Sequence, residues 1–340
     1  MKILSIVIPV FNTEDYIRRC LDSIVSIDDR SSLEIIIVND GGTDSSLDIA
    51  KEYAEKYPEC IVLIDKENGG HGSTINKGLE VATGKYFRVL DSDDWFDTMN
   101  FERFLHDLEH CDEDLVLTPY TQEYTFSGAK FEYKYEQFEH DEVYTWDDME
   151  FTEATMYFTM ASSSYKTELL RKCGLHLYEK SFYVDMQYNV YPIPYLKTVR
   201  FLDYEIYRYF IGRPNQSMSQ ESLTRNLPQH ERVLKFIVDY YVEKKSICSE
   251  NQVNYIALIF YFMYYSHIDI VCQKLKKRFK AYKTIKRFDR DLKKTAPDLY
   301  KKVSSFPYLR WSRRFGYLNV WLFNGPFSKA IDIGRRLRGR

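Results

Sequence analysis

Apolar residues in the first half of the chain come in short continuous runs, and these runs alternate with segments of helical spacing. Ile3–Val10, Leu33–Asn39, Cys60–Asp65 and Tyr86–Asp91 are rich in Ile and Val and too short for helices, so they predict strands. Nearly every position in them is apolar, which means both faces are covered and the sheet is largely parallel. Glu14–Val25, Thr43–Tyr57 and Ser73–Ala82 space their apolar residues three and four apart and predict the intervening helices. Strand–helix alternation builds right-handed βαβ crossovers and an α/β fold. Ligands of such sheets lie beyond the carboxyl ends of the strands, where Asn12, Asp40 and the run Asp91–Asp94 all fall.

Further along, Asp114–Pro119 predicts a fifth strand, Thr121–Tyr144 a polar, aromatic hairpin excursion, and Phe201–Tyr209 a returning strand. Beyond about Leu227 the pattern turns helical, with Gln229–Lys244, Asn251–Cys272 and a very basic Lys274–Lys294. A boundary near residue 220 follows, dividing an α/β domain (1–220) from a helical, basic C-terminal region (221–340).

Composition changes this picture in three places. The net charge of −3 hides a polarity: Val271–Arg340 holds 21 Lys/Arg against 4 Asp/Glu, so the acidic excess lies upstream and the basic tail points at something anionic. Six cysteines are scattered without CxxC spacing, which argues against a disulfide framework or zinc site and for a reducing cytoplasm. The apolar run Tyr255–Ile268 is too short to span a bilayer, and Ile3–Phe11 contains Pro9 and lacks a cleavage site, so neither a transmembrane helix nor a signal peptide is expected. Aromatics at 16% suit either ring stacking on a flat ligand or an aromatic core.

Four motifs carry candidate chemistry. In IVIPVFN (Ile6–Asn12), Pro9 suits the place where a strand ladder stops, and Phe11 and Asn12 either frame a nucleotide or form a strand-end turn. In VNDGGTD (Val38–Asp44), Asp40 either accepts a hydrogen bond from a base or opens a turn whose Thr43 or Asp44 caps the next helix. NGGHGSTINKG (Asn68–Gly78) is a flexible loop before a helix whose first-turn N–H groups suit phosphate. It is neither a Walker A loop nor a dinucleotide fingerprint, and His71 within it reads as an exposed loop residue or a phosphate contact. Last, DSDD (Asp91–Asp94) packs carboxylates onto one turn, and their repulsion is most simply relieved by a divalent cation, Mg²⁺ or Mn²⁺, next to a nucleotide diphosphate.

In this order and spacing, IVIPVFN, VNDGGTD, ENGGHGSTINKG and ATGKYFRVLDSDD resemble the family 2 inverting glycosyltransferases over roughly residues 3–215. The resemblance implies a GT-A fold, a Rossmann-like nucleotide-sugar domain with a mostly parallel central sheet. It implies donor contacts from Pro9, Phe11, Asn12, Asp40, Asn68, Gly69, Gly72, Asn76, Asp91, Ser92 and Asp94. Asp91 and Asp93 would form the DxD motif, with Asp93 as the direct metal ligand. Asp185, in SFYVDMQYN, takes the position of the catalytic base, although Val184 stands where the family has Glu. YRYFIGRPNQSMS (Tyr207–Ser219) resembles the loop over the donor diphosphate and adds Arg213 and Gln216, without the family's frequent His. Asn39 stands where the family usually has Asp.

The expected activity is therefore transfer of a sugar, from UDP by the match at Asp40, to a glycan or lipid-linked acceptor in surface or capsular polysaccharide synthesis. Alternatives are a sugar-1-phosphate nucleotidyltransferase, whose basic N-terminal glycine loop is missing, and a silent nucleotide-sugar or glycan-binding module, which an intact DSDD and Asp185 oppose. Residues 274–340 interleave cations with Trp311, Phe315, Tyr317, Trp321, Leu322 and Phe327, which suits an anionic membrane surface and a cytoplasmic protein peripheral to the inner face of the cell membrane. The other reading is a solvated basic helical surface packed on the body through its aromatics; no nucleic acid is expected.

Overall fold

The structure, a computed structural model, describes residues 2–151, 157–212, 220–275, 278–318 and 320. The chain divides into two compact units, Met1–Glu150 with Thr155–Gln216, and Phe151–Ala154 with Ser217–Arg340.

The first unit opens with β1 (Leu4–Val10), α1 (Ile17–Val25), β2 (Leu33–Asp40), α2 (Ser46–Lys56), β3 (Ile61–Lys66), α3 (His71–Val81) and β4 (Tyr86–Val89). It continues with β5 (Trp95–Phe96), α4 (Thr98–His110), β6 (Leu115–Leu117), β7 (Tyr120–Tyr124), β8 (Lys130–Tyr133) and β9 (Val143–Thr145). It closes with β10 (Ser163–Lys166), α5 (Thr167–Lys172), α6 (Val184–Val190), β11 (Thr198–Phe201) and β12 (Tyr207–Ile211). The main sheet runs β3-β2-β1-β4-β10-β6-β11-β9, and a smaller one runs β5-β12-β7-β8. β3, β2, β1 and β4 are mutually parallel, β6 and β11 are parallel, and β10 and β9 run against their neighbours. The continuous apolar runs pay off here: every residue of β1 and β2 is buried.

β4 pairs with β1 only over Leu4–Val7, while β2 accompanies it to Val10. Val7 O accepts from Leu90 N, so residues in phase with Val7 face β4. Pro9 is in that phase and lies past the last β4 partner, where its missing N–H costs no ladder bond.

Two expected elements change. The single strand over Phe201–Tyr209 is instead β11 and β12 in different sheets. β6 and β7 are separated by Thr118–Pro119, and β11 and β12, which pair with them in parallel, separate at the same level. The excursion over Thr121–Tyr144 is a β7–β8 hairpin turned at Gly128 (φ +65°), and β9 then returns to the edge of the main sheet.

The second unit is helical: α7 (Gln220–Arg225), α8 (Leu227–Lys244), α9 (Glu250–Lys274), α10 (Arg278–Thr295), α11 (Pro297–Val303) and α12 (Pro307–Arg314). α9 begins at a reciprocal cap in which Gln252 N donates to Ser249 Oγ and Ser249 N to Gln252 Oε1. Contrary to the length read from Tyr255–Ile268, α9 is long and apolar enough to cross a membrane. Here most of it is buried against α8, α10 and α11, which makes it the axis of the bundle. Tyr317 also departs from expectation: it is buried, its hydroxyl 3.5 Å from that of Tyr264, and it is not available to lipid. Trp311 and Phe315 are exposed as expected, whereas Trp321, Leu322 and Phe327 lie outside the described residues.

Candidate functional site

β2, β1 and β4 are adjacent, so their carboxyl ends deliver Asp40, Asn12 and Asp91 to one rim of the sheet. Asn12 follows β1 in a left-handed conformation (φ 53°), and its Oδ1 accepts from Thr43 N at 2.8 Å. That bond ties the β1 and β2 turns together and leaves Phe11 half-exposed at the rim. Neither Thr43 nor Asp44 is the cap of α2: the N-cap is Ser45, and Asp44, one residue before it, accepts from Ser46 N at 3.0 Å.

Asp40 is buried and organises the glycine loop. Its Oδ1 accepts from Lys66 Nζ (2.7 Å) and Gly69 N (2.8 Å), and its Oδ2 accepts from Gly70 N (2.7 Å). Asn68 Nδ2 donates back to the Asp40 carbonyl. Gly69 has no room for a Cβ, which would meet Ser73 Oγ at 2.5 Å, and Gly70 at φ +83° is the N-cap of α3. The left-handed cap starts the helix at His71, two residues earlier than the apolar spacing indicated.

This early start corrects the reading of His71 as an exposed loop residue. Fixed in the first turn of α3 and partly buried, it places Nε2 2.8 Å from Asp91 Oδ1. Burial opposes its charged form, but Asp91, and behind it Asp185 and Asp93, outweigh that and raise its pKa above the ordinary histidine value.

The DSDD turn divides its labour. Ser92 is buried with its Oγ 3.0 Å from Thr13 Oγ1. Asp94 is buried too, and both oxygens are engaged: Tyr207 Oη donates to Oδ2 at 2.5 Å and Phe210 N to Oδ1 at 2.8 Å. Asp94 therefore anchors β12 to the turn. Burial, then the charges of Asp93 and Asp91, push its pKa well up. Asp93 is 7% exposed, and Arg19, whose guanidinium lies 3.5 Å from the Trp95 ring centroid, reaches its carbonyl. Asp91 is about one-third exposed and pairs with His71.

Asp185 arrives from far downstream on the first turn of α6, after Tyr183 in a left-handed conformation (φ 65°). The approach segment is laid against the glycine loop: Lys180 N donates to Gly69 O (2.5 Å), and a Cβ at Gly72 would lie 2.4 Å from Tyr178 O. Asn76 completes the clamp, donating to Leu177 O at 2.9 Å and accepting from Leu177 N at 2.8 Å. Gly72 and Asn76 thus have packing and clamping roles toward the segment at 177–180 beside the donor contacts expected of them. Burial raises the pKa of Asp185, and nearby His71 draws it back. Arg213 and Gln216 lie outside the described residues. Lys66, Arg19 and Tyr207 carried no signal that sequence reasoning used, and His71, between Gly70 and Gly72, was read there only as an exposed residue or a phosphate contact.

Residues 5–171 match Glycosyl transferase family 2. The chain belongs to that family through this segment. It is 42% identical over 125 residues to EpsH of Bacillus subtilis (strain 168), and 30% identical over 216 residues to uncharacterized glycosyltransferase EpsJ of the same organism. These segments are 37% and 62% of this chain and 36% and 61% of the relatives. A poly(ribitol-phosphate) beta-glucosyltransferase of Bacillus spizizenii is 42% identical over 120 residues, 34% of this chain and 19% of that protein. The chain thus spans 19–61% of the length of these relatives, less than two-thirds of each. Among solved structures, S. aureus TarS superposes at TM-score 0.64 with 18% identity, over 94% of this chain and 55% of TarS. TarS 1–349 in complex with UDP gives 0.56 at 17%, over 94% and 89% of the two chains. A Pyrobaculum calidifontis mannosyltransferase in complex with GDP-Man and Mn²⁺ gives 0.51 at 14%, over 93% and 86%. The fold they share is the expected GT-A α/β fold.

Within the family 2 domain, the departure at Asn39 has a physical cause. Asn39 is buried, and its Nδ2 donates to Asp65 Oδ1 at 2.7 Å, so an Asp there would set carboxylate against carboxylate. The acidic turn also bears on a cation. Among the described residues no group of three or more His, Cys, Asp or Glu forms a closed cage. Mg²⁺-type sites in nucleotide enzymes need none, since one or two carboxylates suffice when water and substrate phosphate complete the shell. Asp93 and Asp91 supply two carboxylates on one turn, and after burial, the larger cause, their charges add to the raised pKa of Asp94 beside them.

Proposed function

We propose that the family 2 domain transfers a sugar from a nucleotide-diphosphate donor, most simply a UDP-sugar, to a hydroxyl of a glycan, polyol-phosphate or lipid-linked acceptor, with inversion. The observation that carries this reading is the convergence of Asp91, Asp93, His71 and Asp185 at the carboxyl rim of the sheet, joined by the glycine loop that Asp40 organises. TarS bound to UDP and the poly(ribitol-phosphate) glucosyltransferase support the donor and acceptor classes.

Asp93, assisted by Asp91, would hold Mn²⁺ or Mg²⁺, which when bound neutralises charge on the departing diphosphate. The chain's own residues do the rest. Asp185 accepts the proton of the acceptor hydroxyl as that oxygen attacks the anomeric carbon from the face opposite the diphosphate. Its raised pKa makes it a stronger base than an ordinary carboxylate. His71 holds Asp91 in place and, when protonated, offsets part of the carboxylate charge facing the donor. Most of the acceleration comes from orientation and preset charge.

The test is a panel of nucleotide sugars assayed with Mn²⁺ or Mg²⁺ for acceptor-dependent release of free nucleotide. Asp185→Asn is expected to lose about 10²–10⁴-fold in kcat with donor binding retained. Asp93→Ala is expected to lose metal dependence with the fold intact. Wild-type turnover in both variants would refute the assignment.

A further inference from the structure

The helical unit contains a cavity of about 710 Å³ lined by one face of α10 together with Tyr300, Arg313, Gly316 and Tyr317. From α10 it receives Lys280, Lys283, Lys286, Arg287, Arg290 and Lys293, positions three and four apart that form a single stripe. All six are exposed. The buried face of the same helix carries Ala281, Ile285 and Leu292, so packing fixes the stripe's direction.

The charge balance of the cavity is lopsided. Among the described residues Asp289 is its one lining carboxylate, and it is already engaged: Arg313 Nε and Nη2 donate to its Oδ1 at 2.9 and 2.6 Å. Arg313 is spent in turn, since Nη1 donates to Tyr300 O and Ser304 Oγ and the guanidinium lies 3.8 Å from the Tyr300 ring centroid. That pair forms a neutral, rigid floor. Among the described residues, no carboxylate comes within ion-pair distance of Lys280, Lys283, Lys286, Arg287 or Lys293. Lys283 with Arg287, and Lys286 with Arg290, are like-charged neighbours at i,i+4 and repel. Of the six, Arg290 alone has a carboxylate near it, Asp291 at 3.8 Å, and a polar floor ringed by such an excess of cations matches a multiply charged oxyanion, not a flat apolar surface.

We propose that this cavity binds a phosphate group of a ligand other than the sugar donor, carried either on a soluble phosphate compound or on a lipid headgroup. The inference stands apart from the transfer reaction and is tested by binding alone. The full chain is titrated calorimetrically with inorganic tripolyphosphate, and separately sedimented with phosphatidylglycerol or phosphatidylcholine vesicles at 0.15 M salt. The comparison is between Lys283→Gln/Arg287→Gln/Arg290→Gln and a control of equal charge loss outside the cavity, Lys294→Gln/Lys301→Gln/Arg310→Gln, with circular dichroism confirming both folds. We expect the cavity variant to bind at least about fivefold more weakly, three lost charge contacts at a few tenths of a kcal/mol or more each, and the control to bind as wild type. Tripolyphosphate binding lost in the cavity variant identifies a soluble phosphate as ligand. Loss confined to phosphatidylglycerol vesicles identifies a headgroup. Absence of binding to either probe, or equal loss in both variants, overturns the proposal.

Discussion

Replacing Asn76 by alanine separates two roles that its motif alone cannot. As a donor contact, Asn76 would tolerate truncation structurally, and the variant would bind nucleotide sugar poorly. As the clamp on Leu177, it holds the segment that carries Asp185, and the variant loses stability first. The magnitude follows from the geometry. Asn76 makes two bonds to the backbone of Leu177, a residue whose side chain is fully buried. An ordinary hydrogen bond contributes about 0.5–1.5 kcal/mol net, and a buried group left without a partner costs about 1–3 kcal/mol. Partial access of water to the orphaned N–H and C=O puts the total at roughly 2–4 kcal/mol, which for a unit of this size lowers Tm by about 5–12 °C. Asn76→Asp is a sharper probe: it keeps an acceptor for Leu177 N but sets an anion against Leu177 O, and is expected to be no more stable than alanine.

The assay pairs thermal unfolding with kinetics. With the clamp removed, the segment keeps its contacts at Gly69, Gly70 and Gly72 but loses both side-chain bonds at Leu177, so Asp185 is displaced in a fraction of molecules. We expect kcat to fall while the donor Kd stays within about twofold, since misplacing a reacting group costs rate, not donor affinity. A variant whose Tm matches wild type to within a degree, and whose donor Kd rises tenfold, would refute the clamp and restore the donor contact.

Two further predictions concern buried polar groups. Asn39→Asp creates a buried carboxylate opposite Asp65 and is expected to cost about 2–4 kcal/mol at pH 7.5. Its folded pKa is raised, so stability returns as the pH falls toward 5, and the double variant with Asp65→Asn regains it at neutral pH; urea titrations at both pH values check this, and an Asn39→Asp protein as stable as wild type at pH 7.5 excludes the repulsion. In the helical unit, His230 and His267 are buried with ring centroids 5.4 Å apart, and burial lowers them to about 4 and about 3, the latter also through His230. Both are neutral when folded and protonate near 6.5 when unfolded, so stability is full above pH 6.5 and falls below it. Each contributes a loss of about 1.4 kcal/mol per pH unit, or roughly 2 kcal/mol between pH 6.5 and 5. His267→Phe is expected to halve that slope; an unchanged slope in the unfolding of this unit means the pair is already charged or solvated.

The parallel core and the identity of its rim were legible because they rest on local patterns: continuous Ile/Val runs, and polar residues placed where those runs end. The orientation of rim residues was not legible, because partners from residues 177–210 decide it. Asn76 and Gly72 belong to a motif that reads as phosphate-facing, but the approach of Leu177 and Tyr178 turns them inward. Asp94 reads like its neighbours in DSDD, but Tyr207 and the backbone of Phe210 claim both its oxygens. His71 was misread for a local reason. Apolar spacing cannot register a helix turn built by a left-handed Gly70, because the first turn of α3 is polar.

These partners also explain how five aspartates coexist on one rim. Asp40 is neutralised by Lys66 and by two backbone N–H groups, and Asp94 by a phenol and a backbone N–H, with its raised pKa favouring the protonated form. The two aspartates most deeply built into the fold therefore place little net charge at the rim. Asp91 pairs with His71, whose charge Asp185 and Asp93 also share, and Arg19 reaches the turn at Asp93, so three carboxylates share two cationic side chains and the rim stays net negative. Under the proposed reading this residue of charge is the working part. It is too negative to admit a bare diphosphate, so donor and cation must enter together, and donor affinity should depend on metal far more steeply than the affinity of an uncharged acceptor does. Equal donor affinity with and without Mn²⁺ would mean that the rim's charge is balanced by some other group, and that Asp93 has a structural task like that of Asp94.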